Sequence, residues 1–141
     1  MTLRFALPVF FLFLAACSEA PGPPIVVTNV VVNSPGAAMP MAAGYLEIEN
    51  RSGSSIRITS VSSPNYESVE MHETQIEDGI ARMRKLPVLE IDADEIITFE
   101  RGGKHLMLMR PVEEADSVTL NFYSEDVLLV TVSAEIASAA Q

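Results

Sequence analysis

The stretch VEMHETQIEDGIARMRKLPV, Val69 to Val88, sets Asp78-Gly79 between two alternating runs. An Asp-Gly pair in that position is the strongest short-range signal for a two-residue hairpin, because both residues tolerate the positive φ that such a turn demands. With a two-residue turn, Glu77 faces Ile80, Thr74 faces Met83 and His72 faces Lys85. His72, Thr74 and Ile76 then share one face with Ala81, Met83 and Lys85. His72 and Met83 become diagonal neighbours, roughly 7–8 Å apart at the backbone and within reach of long side chains. A slip of one residue would turn Met83 to the opposite face, so the placement depends on the turn.

The rest of the chain repeats this grammar. IVVTNVVVN (Ile25–Asn33) is rich in β-branched residues and stops at Ser34-Pro35-Gly36. AGYLEIEN (Ala43–Asn50) alternates Leu46 and Ile48 against Tyr45, Glu47 and Glu49. SIRITSVS (Ser55–Ser62) reads as one further alternating strand, Ile56 and Ile58 inward. EIITFE, SVTLNFYS and VLLVTVSAEI complete the set. Only the alanine-rich tail near Ile136 hints at a helical period, and it is short. Turn signals about every eight to twelve residues imply an all-β domain, an antiparallel sandwich or barrel.

The first residues stand apart from that domain. MTLRFALPVFFLFLAAC carries Arg4, an apolar run from Phe5 to Ala16, and then Cys17. The run has the form of an export signal, and Leu14-Ala15-Ala16-Cys17 resembles a bacterial lipobox. Residues 1–16 are therefore expected to be a lipoprotein signal peptide. Residues 17–24 would be a lipidated Cys17 with a Pro-rich tether, and 25–141 the folded domain. By analogy with such lipoproteins, Ser18 favours the outer over the inner membrane, in the periplasm.

Cys17 is the only cysteine of the 141 residues, so a mature domain beginning there has neither disulfide nor thiolate ligand. Asp and Glu number 19 against 9 Lys and Arg. Without a basic cluster to neutralise phosphates, nucleic acid is an improbable partner. Nor do the two histidines join a nucleophile and a carboxylate in a hydrolytic arrangement, and no enzyme is expected.

A second segment, KHLMLMR (Lys104–Arg110), alternates Leu106 and Leu108 with His105, Met107 and Met109. As a strand it puts the leucines on one face and an imidazole with two thioethers on the other. Taken singly, each candidate has an ordinary explanation. A lone His72 is usually a surface or hydrogen-bonded residue, and Met71, Met83 and Met109 suit core filling. Taken together, His72, Met83, His105 and Met107 form a neutral set of two imidazoles and two thioethers. Thioether is a soft donor suited to Cu(I) and poor for zinc, calcium or magnesium.

The spacing is His72, ten residues, Met83, twenty-one residues, His105, one residue, Met107. This resembles the H-x10-M-x21-H-x-M signature of the periplasmic copper-A chaperone family, PCu(A)C. GYLEIEN, VEMHET with DGIARMRKL, and ERGGKHLMLM resemble that family's flanking segments over roughly Ile25 to Ala134. Three departures stand out. Arg101 replaces the proline that often precedes Gly102-Gly103, the expected lipid anchor differs from the freely soluble periplasmic members, and the tail SAEIASAAQ lacks the further His and Met residues of many members. The resemblance implies a cupredoxin-like Greek-key β-sandwich with Cu(I) held by His72, Met83, His105 and Met107. It also implies delivery of copper to the CuA site of cytochrome oxidase or to an assembly factor; the expected state is a monomer. Two other readings compete. A blue-copper electron carrier needs a thiolate that the domain lacks. An envelope interaction module would leave the Met row as mere core. Glu70, Glu73 and Glu100 read first as solvated charges, with attraction of the cation as a second reading.

Overall fold

A computed structural model describes residues 23–34, 40–113 and 115–138. Residues 1–16, Cys17 and most of the tether lie outside the described residues. The elements are β1 (Ile25–Ser34), β2 (Met41–Asn50), β3 (Ile56–Ile58), β4 (Ser60–Ser62), β5 (Tyr66–Glu77) and β6 (Ile80–Lys85). They continue with β7 (Leu89–Ile91), β8 (Ile96–Phe99), β9 (Lys104–Pro111), β10 (Ser117–Ser124) and β11 (Val127–Ser138). No helix occurs among the described residues, and the all-β expectation holds.

Nine strands form one sheet in the order β4-β10-β11-β1-β2-β8-β9-β5-β6, while β3 and β7 pair separately. Two further pairings, β4 with β5 and β2 with β9, curl the long sheet back on itself. The first half of β2 pairs with β9 (Gly44 opposite Leu106), and its second half with β8 (Leu46 opposite Phe99). Gly44 permits the closer of these approaches: a Cβ there would stand 3.1 Å from the Cβ of Leu106. The alternation along β2 and β9 sorts the faces as read. Leu46, Ile48, Leu106 and Leu108 are buried in a common core with Met71, Phe99, Leu120 and Phe122.

Three local features depart from the sequence reading. SIRITSVS breaks into β3 and β4, which join different sheets. The buried positions Ile58 and Val61 are three apart, which a single period-two strand cannot satisfy. Thr59 makes the joint: its N–H donates to the Tyr123 carbonyl, and its Oγ1 accepts from the Glu125 N–H at 2.7 Å. Pairing is not wholly antiparallel, because β1 runs parallel to β11 and β8 meets β9 in parallel. Strand β11 continues past the VLLVTVSAEI run to Ser138, with Ile136 in register with Val32. The β-branched run of β1 also carries a bulge between Thr28 and Val31, where Asn29 has φ 53°.

Asn50, fully buried at the end of β2, locks this region. Its Nδ2 reaches the carbonyls of Ser54, Ile91 and Asp92 at 2.9, 3.0 and 2.9 Å, and its Oδ1 accepts from the N–H and hydroxyl of Ser52. The amide thus joins three chain segments and leaves no polar atom of its own unpaired, as burial requires.

Candidate metal centre

The hairpin forms in the register expected of Asp78-Gly79. Both residues have positive φ, 54° and 78°, as a type I′ turn demands. Glu77 faces Ile80, Thr74 faces Met83, and His72 faces Lys85. On the other side of β5, strand β9 runs antiparallel and brings His105 directly opposite His72. Met107, two residues on, stands opposite Glu70. One face of β9–β5–β6 therefore carries His105, Met107, His72, Glu70, Lys85 and Met83. It is the face turned away from Leu106, Leu108 and Met71.

Three of the four expected ligands are drawn together by side-chain geometry. The imidazoles of His72 and His105 lie with ring centroids 6.0 Å apart, tilted by 37°. Nε2 of His105 is 3.2 Å from Sδ of Met83. Met107 shares their face by register and is half-buried. Met109, next along the row, pairs across to Met41 and Ser68, while Met71 is core.

Protonation follows from the partners. Nδ1 of His105 is 3.0 Å from the Gly103 carbonyl, which only accepts, so Nδ1 carries the hydrogen. In the neutral ring Nε2 then presents a lone pair, and so does the Met83 sulfur 3.2 Å away. In that tautomer no hydrogen joins them. The same Gly103 carbonyl accepts the Thr74 N–H at 3.1 Å, tying the loop before β9 to β5. Arg101, in that loop, lies with its guanidinium carbon 5.9 Å from the centroid of the Tyr45 ring on β2.

Nε2 of His72 is 2.9 Å from Oε2 of Glu70, and Oε1 of Glu70 accepts from Nζ of Lys85 at 2.6 Å. The Lys85 ammonium, then the His72 N–H, hold the Glu70 carboxyl below the usual carboxylate range. Glu70 is therefore ionised at neutral pH and accepts only, which places the hydrogen of neutral His72 on Nε2. Its Nδ1 is buried and has no hydrogen-bond partner. A buried lone pair without a donor is rare in folded proteins and calls for an explanation.

Exposure grades the site. His105 is 7% exposed, whereas Met83, which covers it from the edge strand, is 59% exposed. Among the described residues no group of three or more His, Cys, Asp or Glu is placed to hold a metal. Metal affinity in this face would thus depend on thioether sulfur, the donor that selects soft ions. Glu70, which reads from the sequence as a solvated charge, is instead bonded to His72. The Glu-x-His spacing on a strand, which puts both on one face, was the available signal. Glu73 lies on the opposite face and is bound to Lys104 Nζ at 2.7 Å.

A profile of the LpqE-like lipoprotein family matches residues 25–136, most of the chain. The chain belongs to the LpqE-like family. No curated protein matches it significantly. The copper-bound PCuAC domain from PmoF2 superposes with a TM-score of 0.67 at 17% identity, over 82% of this chain and 94% of that one. Apo-DR1885 from Deinococcus radiodurans gives 0.59 at 24% identity, over 99% and 95%. CuI-DR1885 from the same organism gives 0.57 at 26%, over 86% and 82%. The LpqE-like chain thus has the fold of PCuAC domains, as the motif resemblance implied.

Proposed function

We propose that this LpqE-like protein is a periplasmic copper chaperone that carries one Cu(I) on His72, Met83, His105 and Met107. The observation that carries the reading is the 3.2 Å approach of Nε2 of His105 to Sδ of Met83. An imidazole nitrogen and a thioether sulfur held this close can be taken by one soft ion. The partnerless, buried Nδ1 of His72 supplies a further donor, on a ring whose centroid is 6.0 Å from that of His105. The copper and Cu(I) forms named for PmoF2 and DR1885 agree with this donor chemistry.

The set is neutral, so bound Cu(I) keeps its single positive charge and is held less tightly than in a thiolate cage. That suits a carrier. Met83, exposed on an edge strand, is the donor an incoming ligand replaces first, and the buried His105 the last. A recipient with stronger ligands, a CuA site of cytochrome oxidase or its assembly factor, would complete the exchange. Lipidation at Cys17 would confine the domain to a membrane surface, the outer membrane being favoured. The protein acts as a carrier and catalyses no reaction.

Competition for Cu(I) against a chelator tests the reading, with wild type and four variants, each ligand replaced by alanine. One equivalent should bind, and affinity should collapse in His72→Ala and His105→Ala. Unchanged binding across all four variants refutes the assignment.

A further inference from the structure

We infer that Glu70, held by Lys85, is a positioning residue that presents Nδ1 rather than Nε2 of His72 to the metal; this rests on the copper reading above. The two histidines are fixed in opposite senses. His105 gives Nδ1–H to the Gly103 carbonyl, so its free atom is Nε2. His72 gives Nε2–H to Glu70, so its free atom is Nδ1. That free atom is the one buried side-chain nitrogen or oxygen without a partner among the described residues.

Glu70 cannot turn away easily. It stands opposite Met107 in the β5–β9 register, and its second oxygen is bonded to Lys85, the residue opposite His72 on β6. One carboxylate thus connects the ring of one ligand to the strand that carries another, Met83. Its charge is balanced by Lys85, so the donor set keeps its overall neutrality while the ring orientation is held. A hydrogen bond to the remote nitrogen also raises the basicity of a ligating imidazole, and losing such a partner typically costs about 10–100-fold in metal affinity. Without Glu70 the His72 ring is free to turn over and offer Nε2, the less hindered nitrogen.

The test compares Glu70→Ala and Glu70→Gln with wild type, by Cu(I) competition and by long-range nitrogen–proton NMR of the imidazoles. In the copper-loaded wild type, the nitrogens that shift should be Nδ1 of His72 and Nε2 of His105. Glu70→Ala should bind roughly 10–100-fold more weakly or move ligation at His72 to Nε2. Glu70→Gln keeps an acceptor for Nε2–H and should restore Nδ1 ligation. Ligation through Nε2 of His72 in wild type overturns the inference, as does a Glu70→Ala protein with unchanged affinity and ligating atom. If wild type takes up no copper, the functional reading fails and the apo spectrum still decides this one. A slowly exchanging Nε2 proton on His72, lost in Glu70→Ala, upholds the positioning contact; protonation at Nδ1 refutes it.

Discussion

His72 and His105 are register partners across β5 and β9, and their rings stand 6.0 Å apart on the face opposite the leucine core. They are 33 positions apart in the chain (105 − 72), yet sheet pairing makes them neighbours. That pairing separates the two roles of methionine here: Met83 lies against His105, while Met71 is on the opposite face in the core.

Stability and copper binding should therefore separate cleanly between these methionines. Met71, 3% exposed, should cost about 2–5 kcal/mol of stability when cut to alanine, the range for large-to-small core changes. Met83→Ala should change stability by no more than about 0.5 kcal/mol, as exposed positions do, while weakening Cu(I) binding. Chemical denaturation of both variants checks the first effect, and chelator competition checks the second.

The hairpin turn is a second point of control. Gly79 sits at φ 78° with open space around it, so a Cβ meets no neighbour and only backbone strain opposes substitution. Gly79→Ala should cost roughly 1 kcal/mol. Hydrogen exchange should speed up in β6 more than in β9, because β6 pairs with β5 alone.

Asn50 should be intolerant of replacement. Asn50→Leu leaves three carbonyls and the Ser52 N–H without their partner, and the one fully buried bond, to the Ile91 carbonyl, should by itself cost roughly 1–3 kcal/mol. Thermal unfolding measures it. Copper affinity of the folded fraction should be unchanged.

The Lys104–Glu73 pair, on the sheet face opposite the histidines, predicts a pH dependence of stability. The Lys104 ammonium, then the Gln75 amide, hold the Glu73 carboxyl below its usual value. A carboxyl lowered on folding adds stability above its unfolded pKa, and that addition is lost as pH falls through the folded value. Lys104→Met should thus be less stable than wild type near neutrality, by under about 1 kcal/mol. The difference should vanish below the ordinary carboxylate range. Urea melts across that range give the comparison.

What the sequence disclosed follows from how local each signal is. The Asp78-Gly79 turn determines its own register, so the position of Met83 opposite Thr74 was legible. The inward faces of β2 and β9 were legible by period two. The pairing of His72 with His105 is a long-range choice that no local period encodes; the motif resemblance implied that both bind one copper ion and left their register open. Thr59 shows a limit of periodicity: its contacts with Tyr123 and Glu125, far along the chain, split an apparently continuous strand. The parallel pairing of β1 with β11 depends likewise on the meeting of distant segments.

The central claim is that a mixed imidazole–thioether set holds reduced copper, and X-ray absorption of the Cu(I)-loaded protein tests it most directly. The account predicts a Cu(I) edge with both nitrogen and sulfur in the first shell, and loss of sulfur scattering when Met83 and Met107 are both replaced by alanine. A first shell of nitrogen and oxygen alone in the wild-type protein would contradict it.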